Sequence, residues 1–334
     1  MIVVLAGNQE TTKTVASDTS LLTYPSSKIT AMSSTPFPQQ SQNAGNAGDV
    51  LKHAVLAWCL HHLVERGHPV RYLETHAGAG RYRVPAGDDN RAHLFRGLPP
   101  QDRTRTGPYF RALQKLLVGQ GADLSYPGSP LIATTLLGDA SAHAAAFFEA
   151  HEETARALQA LLPKRFPVAI GRSAVAETAG NPFLPSAQTT HTVPFVLVDP
   201  FGYRPHAPDS ELAHGRLNRD ALNRIVAWTG ELAGVQGQAI VAVWTHEHAN
   251  HLAADLHDSA ADRFRHFEIV SAGVRRLGIM TPYHLVVLGA GDVGLGVVRE
   301  LPRPSNGEAA WEASPLLRLW EHRISFDVLD WTRP

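Results

Sequence analysis

The chain has 334 residues, of which 44% are hydrophobic and 18% charged, with a formal net charge of -1. That balance excludes a disordered chain and a histone-like polycation, and at about 150 residues per domain it suits one large α/β domain or two modest ones. No run approaches the roughly 18 to 20 apolar residues that cross a bilayer, and residues 1–7 lack the basic start of a secretory signal. A cytoplasmic protein with no membrane partner is expected. The single cysteine, Cys59, can close no intrachain disulfide and build no cysteine-based metal site.

Residues 1–42 hold fourteen Ser or Thr and few charges, a composition that buries too little apolar surface to offset ordering. They read as a disordered leader, and Met32 offers an alternative start. A turn-rich stretch from Asn43 leads into a helix over 50–66, with Asp49 as N-cap, an apolar face of Leu51, Val55, Trp58 and Leu63, and Gly67 as the stop. Apolar runs at 70–75, 146–149, 168–172, 195–199, 238–244 and 283–288 read as strands, mostly without alternation, as in a sheet covered on both faces. Helical patterns at 152–162 and 220–233 lie between them. Alternating β and α predicts a doubly wound α/β sheet, whose ligands bind beyond the carboxyl ends of the strands. Residues 81–128 break the rhythm and read as an inserted subdomain; seven Arg against three Asp within 81–111 make it locally basic. The remainder, 43–334, reads as one domain around that insertion.

Four motifs carry candidate chemistry. The first strand runs into Glu74-Thr-His-Ala-Gly78-Ala-Gly80, an acid followed by a glycine turn that lets backbone approach a ligand while the carboxylate accepts from a ligand ammonium. Ser129, before Pro130, reads as the cap of the next helix. Glu149 ends the second strand, where nucleotide-binding sheets place the acid that holds ribose hydroxyls; the insertion accounts for its distance from the glycine turn. Val196-Leu-Val-Asp199-Pro200-Phe201-Gly202-Tyr203 ends a buried strand in an aspartate, a proline carbonyl and two aromatics. The aspartate and carbonyl can accept both hydrogens of a planar amine while Phe201 or Tyr203 stacks on the base that carries it.

Asn43-Ala-Gly-Asn-Ala-Gly-Asp-Val-Leu-Lys-His53, Tyr72-Leu-Glu-Thr-His-Ala-Gly-Ala-Gly-Arg-Tyr82 and Tyr126-Pro-Gly-Ser-Pro-Leu-Ile-Ala133, followed by Asp199-Pro200, resemble the signature blocks of the RlmJ family of 23S ribosomal RNA adenine-N6 methyltransferases. The resemblance covers about residues 43–300. It implies a class I S-adenosylmethionine methyltransferase fold, Rossmann-like, with a seven-stranded sheet and a small inserted subdomain, and S-adenosyl-L-methionine as cofactor. It further implies that Lys52, His53, His76 and Ser129 line the methionine end of the cofactor, that Glu149 holds its ribose, and that Asp199 is catalytic. Two blocks depart from the family. Asp-Pro-Pro-Tyr is replaced by Asp199-Pro200-Phe201-Gly202, which is similar to the block of the three-Cys-motif partner proteins associated with defence. The aspartate expected after the third strand is missing from Ile170-Gly-Arg-Ser173-Ala-Val-Ala-Glu177, where Ser173 or Glu177 is the candidate substitute. A methyltransferase of 23S ribosomal RNA, acting as a monomer, is the leading expectation. A defence-associated homologue and a non-catalytic cofactor- or RNA-binding module are the alternatives.

Three further features are weighed against this reading. Gly289-Ala-Gly291-Asp-Val-Gly294 has dinucleotide-fingerprint spacing but comes last in the series, and is expected to be a hairpin turn between the final strands. His246, His248 and His251 lack the four-residue spacing of a zincin helix, so no metal is expected and contact with the acceptor is the alternative. Arg263, Arg265, Arg275 and Arg276 read as a solvated basic face open to phosphate contact.

Overall fold

The computed structural model describes residues 44–45, 47–83, 107–117, 125–170, 192–200, 202–208, 216–245, 249–260, 264, 266–276, 279–301 and 324–329. All lie in the compact unit Pro38–Pro334. The leader and the most arginine-rich part of the insertion lie outside these residues.

In chain order the elements are α1 (Ala47–Glu65), β1 (Val70–Glu74), β2 (Arg81–Arg83), α2 (Pro108–Leu116), β3 (Ser125–Pro127), α3 (Ser129–Leu137), β4 (Ala144–Glu149), α4 (Glu152–Leu161), β5 (Val168–Ile170) and β6 (Val193–Val198). There follow β7 (Gly202–Tyr203), β8 (Arg216–Leu217), α5 (Arg219–Gln236), β9 (Ala239–Thr245), α6 (Ala249–Ala260), β10 (His266–Arg276), β11 (Ile279–Ala290), α7 (Gly291–Arg299) and β12 (Ile324–Leu329). The main sheet has eight strands in the order β12-β10-β11-β9-β6-β1-β4-β5. β9, β6, β1, β4 and β5 are parallel, β11 runs against them between β9 and β10, and β12 adds an eighth strand at the edge. β2 and β3 form a separate antiparallel pair.

Alternate residues of the central strands enter two cores, one on each face of the sheet. Tyr72, Phe147, Phe195, Leu197, Ile240 and Val287 face the layer containing α1, α3 and α7, whereas Leu73, Phe148, Val196, Val241 and Leu288 face α5 and α6. Both sets are apolar, so strand periodicity vanishes from the sequence while the structure keeps it. α1 is buried on most of its circumference, because α2 and α3 cover the side turned away from the sheet. Gly67, at φ 74°, ends it through bonds from Gly67 N to Val64 O and from His68 N to Leu63 O.

Two terminal assignments change. α1 begins at Ala47, so Asp49 lies in its first turn, where Oδ2 accepts from Gly45 N at 2.9 Å. Gly128, not Ser129, is the N-cap of α3, which frees the Ser129 hydroxyl for another bond. The last glycine segment is also corrected. Gly291 opens α7, and the hairpin joins β10 to β11 between Arg276 and Ile279. A helix tolerates these glycines because packing requires them. A Cβ at Gly294 would lie 2.5 Å from Ala239 O, and one at Gly289 would lie 2.3 Å from Gly294 O. Backbone of this chain occupies the space a ligand would need.

Candidate active site at the carboxyl edge of the sheet

Apart from Tyr203, every sequence-nominated residue of the site that the structure describes comes from the carboxyl edge of the parallel strands or from the two helices beside it. β1 ends between β6 and β4, and its turn continues their ladders: Thr75 N donates to Leu197 O and Ala77 N to Phe148 O, both at 3.0 Å. Gly78 and Gly80 take φ 65° and 74°, which favours glycine and bends the chain back over the sheet. Gly128 N donates to Gly80 O at 2.8 Å, tying the start of α3 to this turn.

Glu74 is fully buried beneath the turn. Tyr72 Oη donates to its Oε2 at 2.9 Å, and the Ser129 hydroxyl donates to Oε1. Burial outweighs these two donors and Lys52, with Asp199 adding repulsion, so the carboxyl is pushed up to about 8. Through these two bonds Glu74 braces the turn from below. Glu149 stands at the end of β4, its Oε2 accepting from Gly78 N and its Oε1 from His151 N, each at 2.8 Å. A carboxylate oxygen has more than one acceptor direction, so both remain chemically suited to a diol.

Lys52 joins α1 to the end of β6. Its ammonium lies 2.6 Å from Asp199 Oδ2 and 3.1 Å from Asp49 Oδ1, and 5.8 Å from the centre of the Trp244 ring. The Lys52 side chain is only 7% exposed. Burial disfavours the charged amine, but the two carboxylates outweigh it and hold Lys52 as a cation above its usual range. Burial pushes Asp49 up most strongly, but Lys52, His53 and the Gly45 amide together outweigh it and hold the carboxyl below its usual range. The Lys52 bridge and the place of Asp49 in it were not nominated from sequence, because Asp49 sits where helix caps sit.

His53, the next residue, is 2% exposed. Its Nδ1 is 2.6 Å from Tyr126 Oη, which is 2.9 Å from Tyr109 Oη. Burial and the Lys52 charge push the imidazole down to about 3, so it is neutral. His76 is likewise pushed down to about 4 by burial, with Nδ1 2.7 Å from Thr75 Oγ1. Arg81, one of the insertion's arginines, donates to Leu116 O at 2.8 Å and Ser125 Oγ at 3.2 Å. It links β2 to β3 and α2, so it is a structural arginine.

The Asp199 loop differs from expectation at one ring. Pro200 is buried beside Asp199, but Tyr203 is fully buried in the α5/α6 core and its hydroxyl donates to Asp255 Oδ2. Asp255 Oδ1 in turn lies 2.6 Å from Arg219 Nη2 at the start of α5. Tyr203 therefore anchors the loop and cannot stack on a substrate in this arrangement. Phe201, Ser173, Glu177, His246, His248, Arg263 and Arg265 lie outside the described residues, as do the side chains of His251, Arg275 and Arg276. Among the described residues no cluster of three metal-ligating side chains occurs, and no helix is long and apolar enough to cross a membrane. Cys59 is buried and its thiol is pushed up by that burial, which leaves it inert as a nucleophile.

The strand order β5-β4-β1-β6-β9-β11-β10, with β11 alone reversed among these seven and the polar cluster at the carboxyl edge, is the class I methyltransferase fold. The donor set suits the cofactor of that fold, with a diol acceptor at Glu149, a glycine turn under it and neutral imidazoles nearby.

The chain is 37% identical over 106 residues to ribosomal RNA large subunit methyltransferase J of Haemophilus influenzae, covering 29% of this chain and 37% of that protein. It is 34% identical over 120 residues to the protein of the same name from Escherichia coli K12, covering 30% of this chain and 37% of that protein. The similarity thus spans little more than a third of these curated relatives. No family model matches the chain. Among solved structures, protein LPL1258 from Legionella pneumophila superposes with a TM-score of 0.57 at 17% identity, over 86% of this chain and 98% of that one. That likeness establishes shared fold.

Proposed function

We propose that this chain is an S-adenosylmethionine-dependent N-methyltransferase acting on adenine N6 of large-subunit ribosomal RNA. The observation that carries the reading is the Lys52–Asp199 pair at 2.6 Å, which fixes an acidic side chain next to the Pro200 backbone at the carboxyl edge. The partial match to two rRNA methyltransferases supports the substrate class. When bound, S-adenosylmethionine supplies an electrophilic methyl group. Lys52, His53, His76 and Ser129 would line its methionine end, Glu149 would hold its ribose, and Ser173 or Glu177 its base.

Asp199 and the Pro200 carbonyl accept the two hydrogens of the adenine amine and thereby orient the nitrogen lone pair. An aspartate paired with an ammonium is a weak base, so its contribution is positional, and the proton leaves the methylated nitrogen through Asp199 to solvent. Phe201 is assigned the stacking ring on a base taken out of its helix, since Tyr203 is buried. The insertion at 81–128 within the 43–334 domain would contact RNA phosphates through its arginines, Arg81 excepted, giving salt-sensitive binding.

Incubation with labelled S-adenosylmethionine and unmodified 23S rRNA, followed by nucleoside chromatography, should yield labelled N6-methyladenosine. Asp199→Ala should reduce labelling by about 100-fold or more while S-adenosylhomocysteine binding stays within a few-fold. Binding of S-adenosylhomocysteine without any labelling of rRNA would overturn the reading in favour of a non-catalytic module.

A further inference from the structure

The buried hydroxyl chain Tyr109–Tyr126–His53 links α2 and β3 to α1. Tyr109 is fully buried, and among the described residues its hydroxyl has one hydrogen-bonding partner, Tyr126 Oη at 2.9 Å. A buried hydroxyl that only accepted here would leave its own hydrogen unsatisfied, so Tyr109 donates to Tyr126. The chain is then continuous when Tyr126 donates to His53 Nδ1, at 2.6 Å, with the two rings stacked at a centroid separation of 5.5 Å. A neutral imidazole that accepts at Nδ1 carries its proton at Nε2. Among the described residues Nε2 has no hydrogen-bond partner and is not fully enclosed, which leaves it open to a ligand.

We infer that Tyr109 and Tyr126 fix His53 as the Nε2–H tautomer, making it a dedicated hydrogen-bond donor beside the Lys52–Asp199 pair. Tyr126 is thus a positioning residue, and Tyr109 extends that role to the α2 segment between β2 and β3. The acceptor this donor suits is a ligand carboxylate or carbonyl. Reading it as the methionine carboxylate of the cofactor rests on the function proposed above. The tautomer itself does not.

The test is a two-bond 1H–15N correlation spectrum of the full chain labelled at histidine nitrogen, without cofactor, in which His53→Asn identifies the His53 resonances. The Nε2–H pattern is expected in the wild type, and Tyr126→Phe should shift His53 toward a tautomer mixture. Tyr109→Phe should do the same to a smaller degree, and serves if the Tyr126 variant does not fold. By calorimetry, S-adenosylhomocysteine should bind Tyr126→Phe about 5- to 10-fold more weakly, through loss of the oriented donor. An Nδ1–H pattern in the wild type overturns the inference. An Nε2–H pattern in a protein that does not bind S-adenosylhomocysteine upholds the tautomer and overturns the cofactor reading instead.

Discussion

Two glycine-rich segments follow strands of the same sheet and do opposite things. Gly78-Ala-Gly80 follows β1 at the carboxyl edge and is surrounded by polar side chains: Glu149 on the Gly78 amide, Glu74 and Ser129 below, and Tyr82 Oη accepting from Ala79 N at 3.0 Å. Gly289-Ala-Gly291-Asp-Val-Gly294 follows β11, which runs antiparallel, so it emerges at the amino edge beside Ala239, the first residue of β9. There the absent side chains make room for backbone: a Cβ at Gly291 would lie 2.0 Å from Gly237 O. Spacing of glycines is the same kind of signal in both; the direction of the preceding strand decides which one can meet a ligand.

The largest effect is expected at the carboxyl edge. Lys52→Met leaves Asp49 and Asp199 in a mostly buried site without their shared cation, and should lower stability by about 3–5 kcal/mol, read by chemical denaturation. Part of that loss should return on acidification as the carboxylates protonate. If Lys52→Met were as stable as wild type, Lys52, Asp49 and Asp199 would not be energetically coupled.

At the amino edge, Gly291→Ala combines a φ of 68° with the backbone clash, and should destabilise by about 3 kcal/mol. S-adenosylhomocysteine affinity of the folded variant should stay unchanged. A selective loss of that affinity would break the contrast between the two turns. Asp255→Asn should be milder, about 1–2 kcal/mol, because Arg219 is 46% exposed and the amide can still accept from Tyr203. It should lower the rate of methyl transfer more than cofactor affinity, since the loop it anchors carries Asp199.

The smallest effect is a pH slope. Glu74 has a folded value of about 8, above its unfolded range, so the folded state holds the extra proton and stability falls as pH rises toward 8. His53 and His76 act oppositely. Their depressed values, about 3 and about 4, make stability rise with pH up to about 6.5, above which they no longer contribute. Between about pH 6.5 and 8 the Glu74 slope should therefore stand apart, and Glu74→Gln should flatten it in thermal melts. A variant with the wild-type slope in that window would show that Glu74 is ionised on the folded chain at neutral pH.

Much of the sheet was legible in advance because buried parallel strands are short apolar runs: β1, β4, β6 and β9 lie within one or two residues of their predicted spans. α7 was missed because Gly291, Gly294 and Gly296 are poor helix formers, and only tight packing against the β9 end explains two of them. α6 starts at Ala249, directly after His246 and His248, and holds only His251 of that trio. β10 pairs along its whole length with β11 yet has no comparably unbroken apolar run, since Ser271, Gly273, Arg275 and Arg276 interrupt it.

Local sequence determined where the candidate side chains of the site stand along the chain. Glu74, Ser129, Glu149 and Asp199 sit at strand ends or helix starts, and those positions follow from chain order and hydrophobic runs alone. Tertiary structure decided what each one touches. The Lys52–Asp199 pair spans 147 residues of sequence, Ser129–Glu74 spans 55 and Tyr203–Asp255 spans 52. No local pattern specifies such pairs, because they form only when separate strands and helices converge on one edge. The same convergence buried Tyr203, which spacing alone had left as a stacking candidate, and turned Asp49 from a helix cap into part of the site.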